Sequence, residues 1–306
     1  MSAPVRSPIA SLQVFLAGLI DYAGLFPPAS LDMLKCVGNY SHYLDSPERW
    51  ALGRFVLPVA RLDEFLGVPK KAATEPWKLS GIVSANVVDD MSAVDEFNRK
   101  VPGAVVDTVE LRVGTADEID LAIRHLPANA DAFFEIASEQ AAELLPAVRR
   151  FGGRAKLRTG GVAEDAFPAL ERIVEFITEC AEVGVAFKAT AGLHHPLRCV
   201  RPLTYEAGAK NGIMHGFLNL FAAAGIAWGA VRAGEKIPKD VLAACLADED
   251  RANWHFNENG MTWNGGDEPV RLGVDSLAAM RAEFALSFGS CSFEEPLTDL
   301  HELDLL

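Results

Sequence analysis

The sequence predicts an α/β fold: a (β/α)8 TIM-type barrel with an N-terminal helix and an insertion before the last strand. Three observations lead there. Short apolar runs alternate with amphipathic stretches from about Leu19 to Thr190, the pattern of parallel strands joined by crossover helices. Seven such units, with an eighth candidate strand at Phe288–Phe293, match the strand number of a barrel. The competing doubly wound sheet lacks its signature, because no GxGxxG turn follows the first strand. Pro27-Pro28 stands in that place and offers no amides to a phosphate.

The elements follow in order. Leu12–Leu19 is apolar but too short to span a bilayer, and it reads as a helix leading into the first strand. Strands are expected at Leu19–Tyr22, Arg54–Val59, Leu79–Ser84, Thr108–Val113, Ala132–Ile136, Ala155–Arg158 and Val185–Thr190. Between them, Ser30–Leu44 reads as a helix capped by Ser30. Ala116–Leu126 follows Thr115, with Glu118 three residues on, a capping box. Glu139–Phe151 and Ala166–Val183 end at Gly152 and Gly184, residues suited to a left-handed helix terminus. Gly212–Ala230 reads as a long apolar helix, Pro238–Ala247 and Val274–Phe284 as shorter ones, and Trp254–Trp263 as a hairpin around Asn259-Gly260. The prediction is one barrel domain over 1–306, with 234–273 inserted as a lid or an oligomer contact.

Composition narrows the function classes. A net charge of −14 without a long basic run argues against nucleic acid, and no stretch predicts a membrane contact. Five scattered cysteines, none in a CxxC pair, suit reduced thiols in a cytoplasmic protein.

Strand alternation then assembles a site. If Leu157 and Phe187 face the helices, Lys156, Arg158, Lys188 and Thr190 face the axis together. By the same rule Glu110, Arg112 and Glu135 turn inward, and Asp21 ends the first strand. Such charges near the C-terminal mouth of a barrel mark a catalytic position. Unpaired, they would cost several kcal/mol per ion on burial, so alternating acids and bases on neighbouring strands are expected to pair. A salt-bridged interior without a catalytic role is the plainer alternative.

A lysine near a second lysine and an arginine, partly desolvated, loses its proton more readily. Its neutral amine can then form a Schiff base with a carbonyl. Lys156-Leu157-Arg158-Thr159-Gly160 and Lys188-Ala189-Thr190-Ala191-Gly192 resemble the two lysine motifs of deoxyribose-phosphate aldolase and related class I aldolases. In that family Lys-Thr-x-Thr-Gly on the sixth strand carries the Schiff base, and a Lys-x-x-Gly-Gly on the seventh lowers its pKa. Arg158 departs from the first motif, and the Lys188 segment is itself closer to the first motif than to the second. Glu110-Leu111-Arg112 resembles a strand of type I dehydroquinate dehydratase, another Schiff-base barrel. The resemblance implies a lyase acting on a small anionic carbonyl compound; on this reading no cofactor and no metal are expected. Lys188 is the first choice of nucleophile and Lys156 the perturbing neighbour. Glu110 and Glu135 handle protons, and Arg158 holds an anion.

The loop after the seventh strand adds His194 as an acid–base candidate. His195, Arg198 and Arg201, with Asp21, Arg112 and Thr190, are candidates for substrate binding. His215 opens an apolar helix and reads as a packed histidine; that helix would begin at the face opposite the mouth unless the long loop repositions it. At the end of the last strand, Ser290 and Ser292 are expected inward and Cys291 against the helices. Two other functions remain open: a metal-dependent isomerase or lyase using His194 or His195 with carboxylates, and a non-catalytic anion-binding protein. The hairpin and the Gly216–Ala230 helix offer surfaces for a homo-oligomer.

Overall fold

The computed structural model, which describes residues 9–70 and 75–306, closes this alternation into a barrel. Its strands are β1 (Ile20–Tyr22), β2 (Leu52–Pro58), β3 (Trp77–Ile82), β4 (Ala104–Arg112), β5 (Asp131–Glu135), β6 (Arg154–Arg158) and β7 (Phe187–Thr190). A hairpin follows, β8 (Cys199–Pro202) and β9 (Asn211–Met214), then a small sheet of β10 (Trp254–Asn257), β11 (Gly260–Trp263) and β12 (Val270–Gly273), and last β13 (Ala285–Ser290). The first seven strands pair in parallel, and β13 closes the ring between β7 and β1. Helices α1 (Ala10–Leu16), α2 (Met33–Tyr43), α3 (Leu62–Gly67), α4 (Val87–Lys100), α5 (Ala116–His125), α6 (Ala141–Phe151) and α7 (Leu170–Val183) precede the hairpin. After it come α8 (Phe217–Ala233), α9 (Lys239–Ala247), α10 (Val274–Glu283) and α11 (Glu294–Glu302).

The helix signals act largely as the sequence implies. Thr115 and Glu118 form the reciprocal capping box of α5, and Gly152 and Gly184 take left-handed conformations at the ends of α6 and α7. Each strand turns one apolar face to the helices. Phe187 meets Phe176 and Phe284 edge-on, with ring centroids 5.8 and 5.2 Å apart. Tyr40, Phe55, Phe65 and Trp77 form a second aromatic knot beside β2 and β3. Burying one such side chain contributes about 1.5–3 kcal/mol, whereas a buried ion pair is close to neutral. The apolar shell therefore holds the barrel closed, and the charged interior needs a different explanation.

Several boundaries differ from the sequence reading. Ser30 has φ 45° and lies outside α2, whose cap is Asp32 accepting from the Lys35 N–H. Short 3-10 turns at Ser138–Gln140 and Glu164–Ala166 precede α6 and α7. Pro168 disfavours helical geometry at Phe167, so α7 starts only at Leu170. The expected helix from Gly212 begins at Phe217, because Asn211–Met214 pairs instead with Cys199–Pro202. Phe217 and Leu218 donate their N–H groups to the His195 and Pro196 carbonyls. That hairpin doubles the chain back, so α8 begins at the mouth and not at the opposite face.

The last strand runs three residues earlier than expected, and its alternation is shifted by one. Ser287 points inward to Asp21, and Gly289 and Cys291 line the mouth. Cys291 therefore does not face the helices. A one-residue slip exchanges the two faces of a strand. In the 234–273 segment, α9 packs on α7 and α8, while the small sheet packs on α1, α8 and α10. Trp254 and Trp263 are fully buried there, and Asn257 and Gly260 flank the hairpin turn.

Candidate active site

The inward faces of β1, β4, β5, β6, β7 and β13 place one chain of alternating charge inside the barrel. At its deep end Asp21 Oδ2 accepts from Ser287 Oγ at 2.8 Å and from Lys188 Nζ at 2.6 Å. Lys188 also donates to Glu110 Oε1 at 2.6 Å, an oxygen that takes the Ser80 hydroxyl at the same distance. Lys156 Nζ then lies 2.8 Å from Glu110 Oε2 and 2.9 Å from Glu135 Oε2. Arg158 Nε closes the series 3.1 Å from Glu135 Oε1. Lys156 and Lys188 are register partners on β6 and β7, and Glu135 is the partner of Lys156 on β5. The strand ladder thus puts Glu135 beside Lys156, while Glu110 and Asp21 reach their lysines through the barrel interior from strands that are not neighbours.

These contacts set the ionisation states. Burial would lower the Lys188 pKa, but Asp21 and Glu110 outweigh it and raise it. Burial would raise the Glu110 and Glu135 pKa values. Lys156 and Lys188 hold Glu110 well below the ordinary carboxylate range, and Lys156 and Arg158 lower Glu135. The sequence-based expectation that Lys188 carries a depressed pKa is therefore corrected: its nearest charges are carboxylates, not cations. Lys188 is also sealed, with its side chain 1% exposed.

A cavity of about 450 Å³ opens over this chain at the C-terminal mouth. Lys156, Glu110, Glu135, Arg158, Thr190 and His194 supply its polar lining, and Phe26, Pro27, Val56, Ile82, Val162 and Ala163 belong to its apolar lining. Gly160 and Gly192 let the loops after β6 and β7 touch. A Cβ on Gly160 would come within 2.9 Å of the Gly192 Cα and 2.5 Å of the Phe167 ring. Thr159 ties the same loops by donating its hydroxyl to the Ala191 carbonyl at 2.6 Å. The glycines of the two lysine segments thus serve close packing here.

Across the mouth, His194 Nδ1 lies 3.2 Å from Glu295 Oε2 in the first turn of α11. The same oxygen accepts from the Tyr205 hydroxyl at 2.8 Å. Burial would raise the Glu295 pKa, but His194 and Tyr205 outweigh it and keep it low. The histidine thus has a carboxylate beside Nδ1 without a hydrogen bond between them, and its ring lines the cavity.

The other sequence candidates separate. Asp21 is fully buried and does not reach the cavity. Arg112 sits on the rim with its side chain 82% exposed, 4.0 Å from Glu135. His195 turns to Asp299 at 2.5 Å, Arg198 pairs with Glu249, and Arg201 is exposed on β8. None of these three lines the 450 Å³ cavity, so the predicted anion site on the loop after β7 is not assembled there. His215 is buried, bonded to the Pro168 carbonyl, with its pKa lowered by burial. Among the described residues no three His, Cys, Asp or Glu side chains converge to hold a metal ion, and no described helix is long and apolar enough to cross a membrane. No residue of 234–273 lines the cavity. Sequence reasoning missed Ser80, Ser287, Cys291, Tyr205 and Glu295. The two strand serines carried a signal, as small polar residues at inward positions; Tyr205 and Glu295 carried none.

No family model and no curated protein matches the chain. Among solved structures, it is similar to a deoxyribose phosphate aldolase from Aeropyrum pernix with a unique tetrameric structure. The identity is 16% and the TM-score 0.37, over 61% of this chain and 85% of that one. So distant a likeness adds nothing to the chemistry read from the side chains.

Proposed function

We propose that the protein is an aldolase-type lyase that forms a Schiff base between Lys156 and a small anionic carbonyl compound. One observation carries this reading: Lys156, although it too lies between two carboxylates, lines the cavity, whereas its register partner Lys188 is sealed and does not. The nucleophile is therefore Lys156, the reverse of the order the sequence favoured, and Lys188 fixes Glu110.

The Lys156 ammonium first releases its proton to water, against the pull of Glu110 and Glu135, and the neutral amine adds to the carbonyl carbon. The carbinolamine takes a proton on its hydroxyl and loses water, leaving an iminium. The iminium restores the positive charge that Glu110 and Glu135 face, so both carboxylates favour it electrostatically. His194 then removes the proton of a hydroxyl on the carbon beyond the bond to be cleaved. The C–C electron pair flows into the iminium, a carbonyl product leaves, and an enamine remains. Protonation of that enamine and addition of water release the second product and free Lys156.

Reductive trapping with borohydride tests the reading. Incubation with a panel of small carbonyl acids and phosphates, then peptide mapping, is expected to place the adduct on Lys156 and to lose it in Lys156→Met. An adduct on Lys188, or none with any compound, overturns it.

A further inference from the structure

The cavity's charge distribution narrows the substrate, and this narrowing rests on the Schiff-base reading above. Among the described residues that line the cavity, Lys156 and Arg158 are the only lysine or arginine. They are also close together, because the single carboxylate of Glu135 bridges them, through Oε2 at 2.9 Å and Oε1 at 3.1 Å. Arg158 spends its Nε on that bridge, and neither terminal nitrogen makes a hydrogen bond to a described residue. Those two nitrogens form a fork suited to a carboxylate.

Distance then sorts the anions. A carbonyl carbon on Lys156 and an anion on Arg158 must be about as close as the two ends of one carboxylate bridge allow. A carboxylate directly attached to the carbonyl carbon meets that condition. A phosphate several bonds away would lie among Phe26, Pro27, Val162 and Ala163, where no basic side chain waits. Arg198 is held by Glu249 outside the cavity, and Arg201 is exposed on β8. The space beyond the two cations is large for a bare keto acid and mostly apolar, and an apolar wall favours burial of an apolar substituent at about 25 cal/mol per Å².

We infer that the substrate is an α-keto acid bearing an apolar substituent, its carboxylate on the Arg158 fork and its carbonyl at Lys156. Condensation with Lys156 expels water and leaves the carboxylate in place, so a positive iminium and the Arg158 guanidinium flank it. The carboxylate needs no proton change, and no further co-reactant enters.

Borohydride trapping at graded concentrations, read by intact mass, tests this with four probes. Phenylpyruvate has the head and an apolar tail. Phenylacetone keeps the tail but replaces the carboxylate by a methyl group. Pyruvate keeps the head alone, and glycolaldehyde phosphate carries a remote anion. Phenylpyruvate is expected to label at the lowest half-saturating concentration. Arg158→Gln should raise that concentration roughly tenfold to a hundredfold, the worth of a charge-assisted contact, and narrow its advantage over phenylacetone. Preferred labelling by glycolaldehyde phosphate, or equal labelling by phenylpyruvate and phenylacetone, overturns this inference and leaves the Schiff base standing. No adduct with any of the four, alongside an intact fold, removes the Schiff-base reading and this inference together.

Discussion

Lys156 and Lys188 occupy matching positions on neighbouring strands, yet they live in different regions of the molecule. Lys188 lies on the side of the barrel where β13 and β1 contribute Ser287 and Asp21, and its ammonium is enclosed by Asp21 and Glu110. Lys156 lies on the side of β4 and β5, between Glu110 and Glu135, with the cavity above it. Glu110 touches both. The same residue type at the same register is thus a sealed cation in one place and a cation lining the cavity in the other. What differs is which strand stands next to it, and whether a loop or open space covers its tip.

The strongest way to break the comparison is to remove each lysine in turn. Lys156→Met is expected to abolish turnover and the borohydride adduct while far-UV circular dichroism stays native, since Glu110 keeps Lys188 and Glu135 keeps Arg158. Lys188→Met is expected to act first on stability. It leaves Asp21 buried without its cation, and urea titration should show a loss of about 3–5 kcal/mol. Adding Asp21→Asn to that variant should recover part of the loss, because the uncompensated charge is gone.

Acid and base should separate the two regions more gently. Glu110 and Glu135 have lowered pKa values in the folded protein. Their contribution is present above about pH 4.3, the unfolded value, and is lost as the pH falls through the depressed folded values. Lys188 has a raised pKa. Its contribution is present below about pH 10.4 and is lost as the pH climbs through the raised value. Thermal melting across pH should therefore give a plateau between those limits. A melting temperature that rises continuously on acidification contradicts the paired cluster.

His194→Asn is expected to lower turnover roughly a hundredfold, in the range for a lost acid–base group, with little change in adduct formation on Lys156. Glu295→Gln should have a smaller effect in the same direction, because the histidine keeps its place but loses its charged partner. Smallest of all, Tyr205→Phe removes one hydrogen bond to Glu295 and should cost about 1 kcal/mol of stability. Steady-state kinetics and denaturant midpoints check all three.

Much of this was readable from residue order. Alternation on β4, β5, β6 and β7 correctly put Glu110, Glu135, Lys156 and Lys188 on one face, because each of those strands keeps a regular apolar partner face. The last strand was misread by one position. There Phe284, Phe288 and Phe293 leave two alternations open, and only pairing of Ser287 with Asp21 decides between them. The loop arginines misled for a related reason. Arg198 is close to His194 in sequence, but Glu249, fifty-one residues on, takes it away from the cavity.

Local periodicity, helix caps and breakers determined the barrel, its strand number and the charged inner face, since those depend on neighbours a few residues apart. Tertiary structure alone decided which lysine lines the cavity, that Asp21 is sealed, and that Glu295, bonded to Tyr205, stands beside His194. Those outcomes depend on closure of β13 between β7 and β1 and on where the β8–β9 hairpin folds back. Such contacts join residues far apart in the chain, and no local pattern in the sequence encodes them.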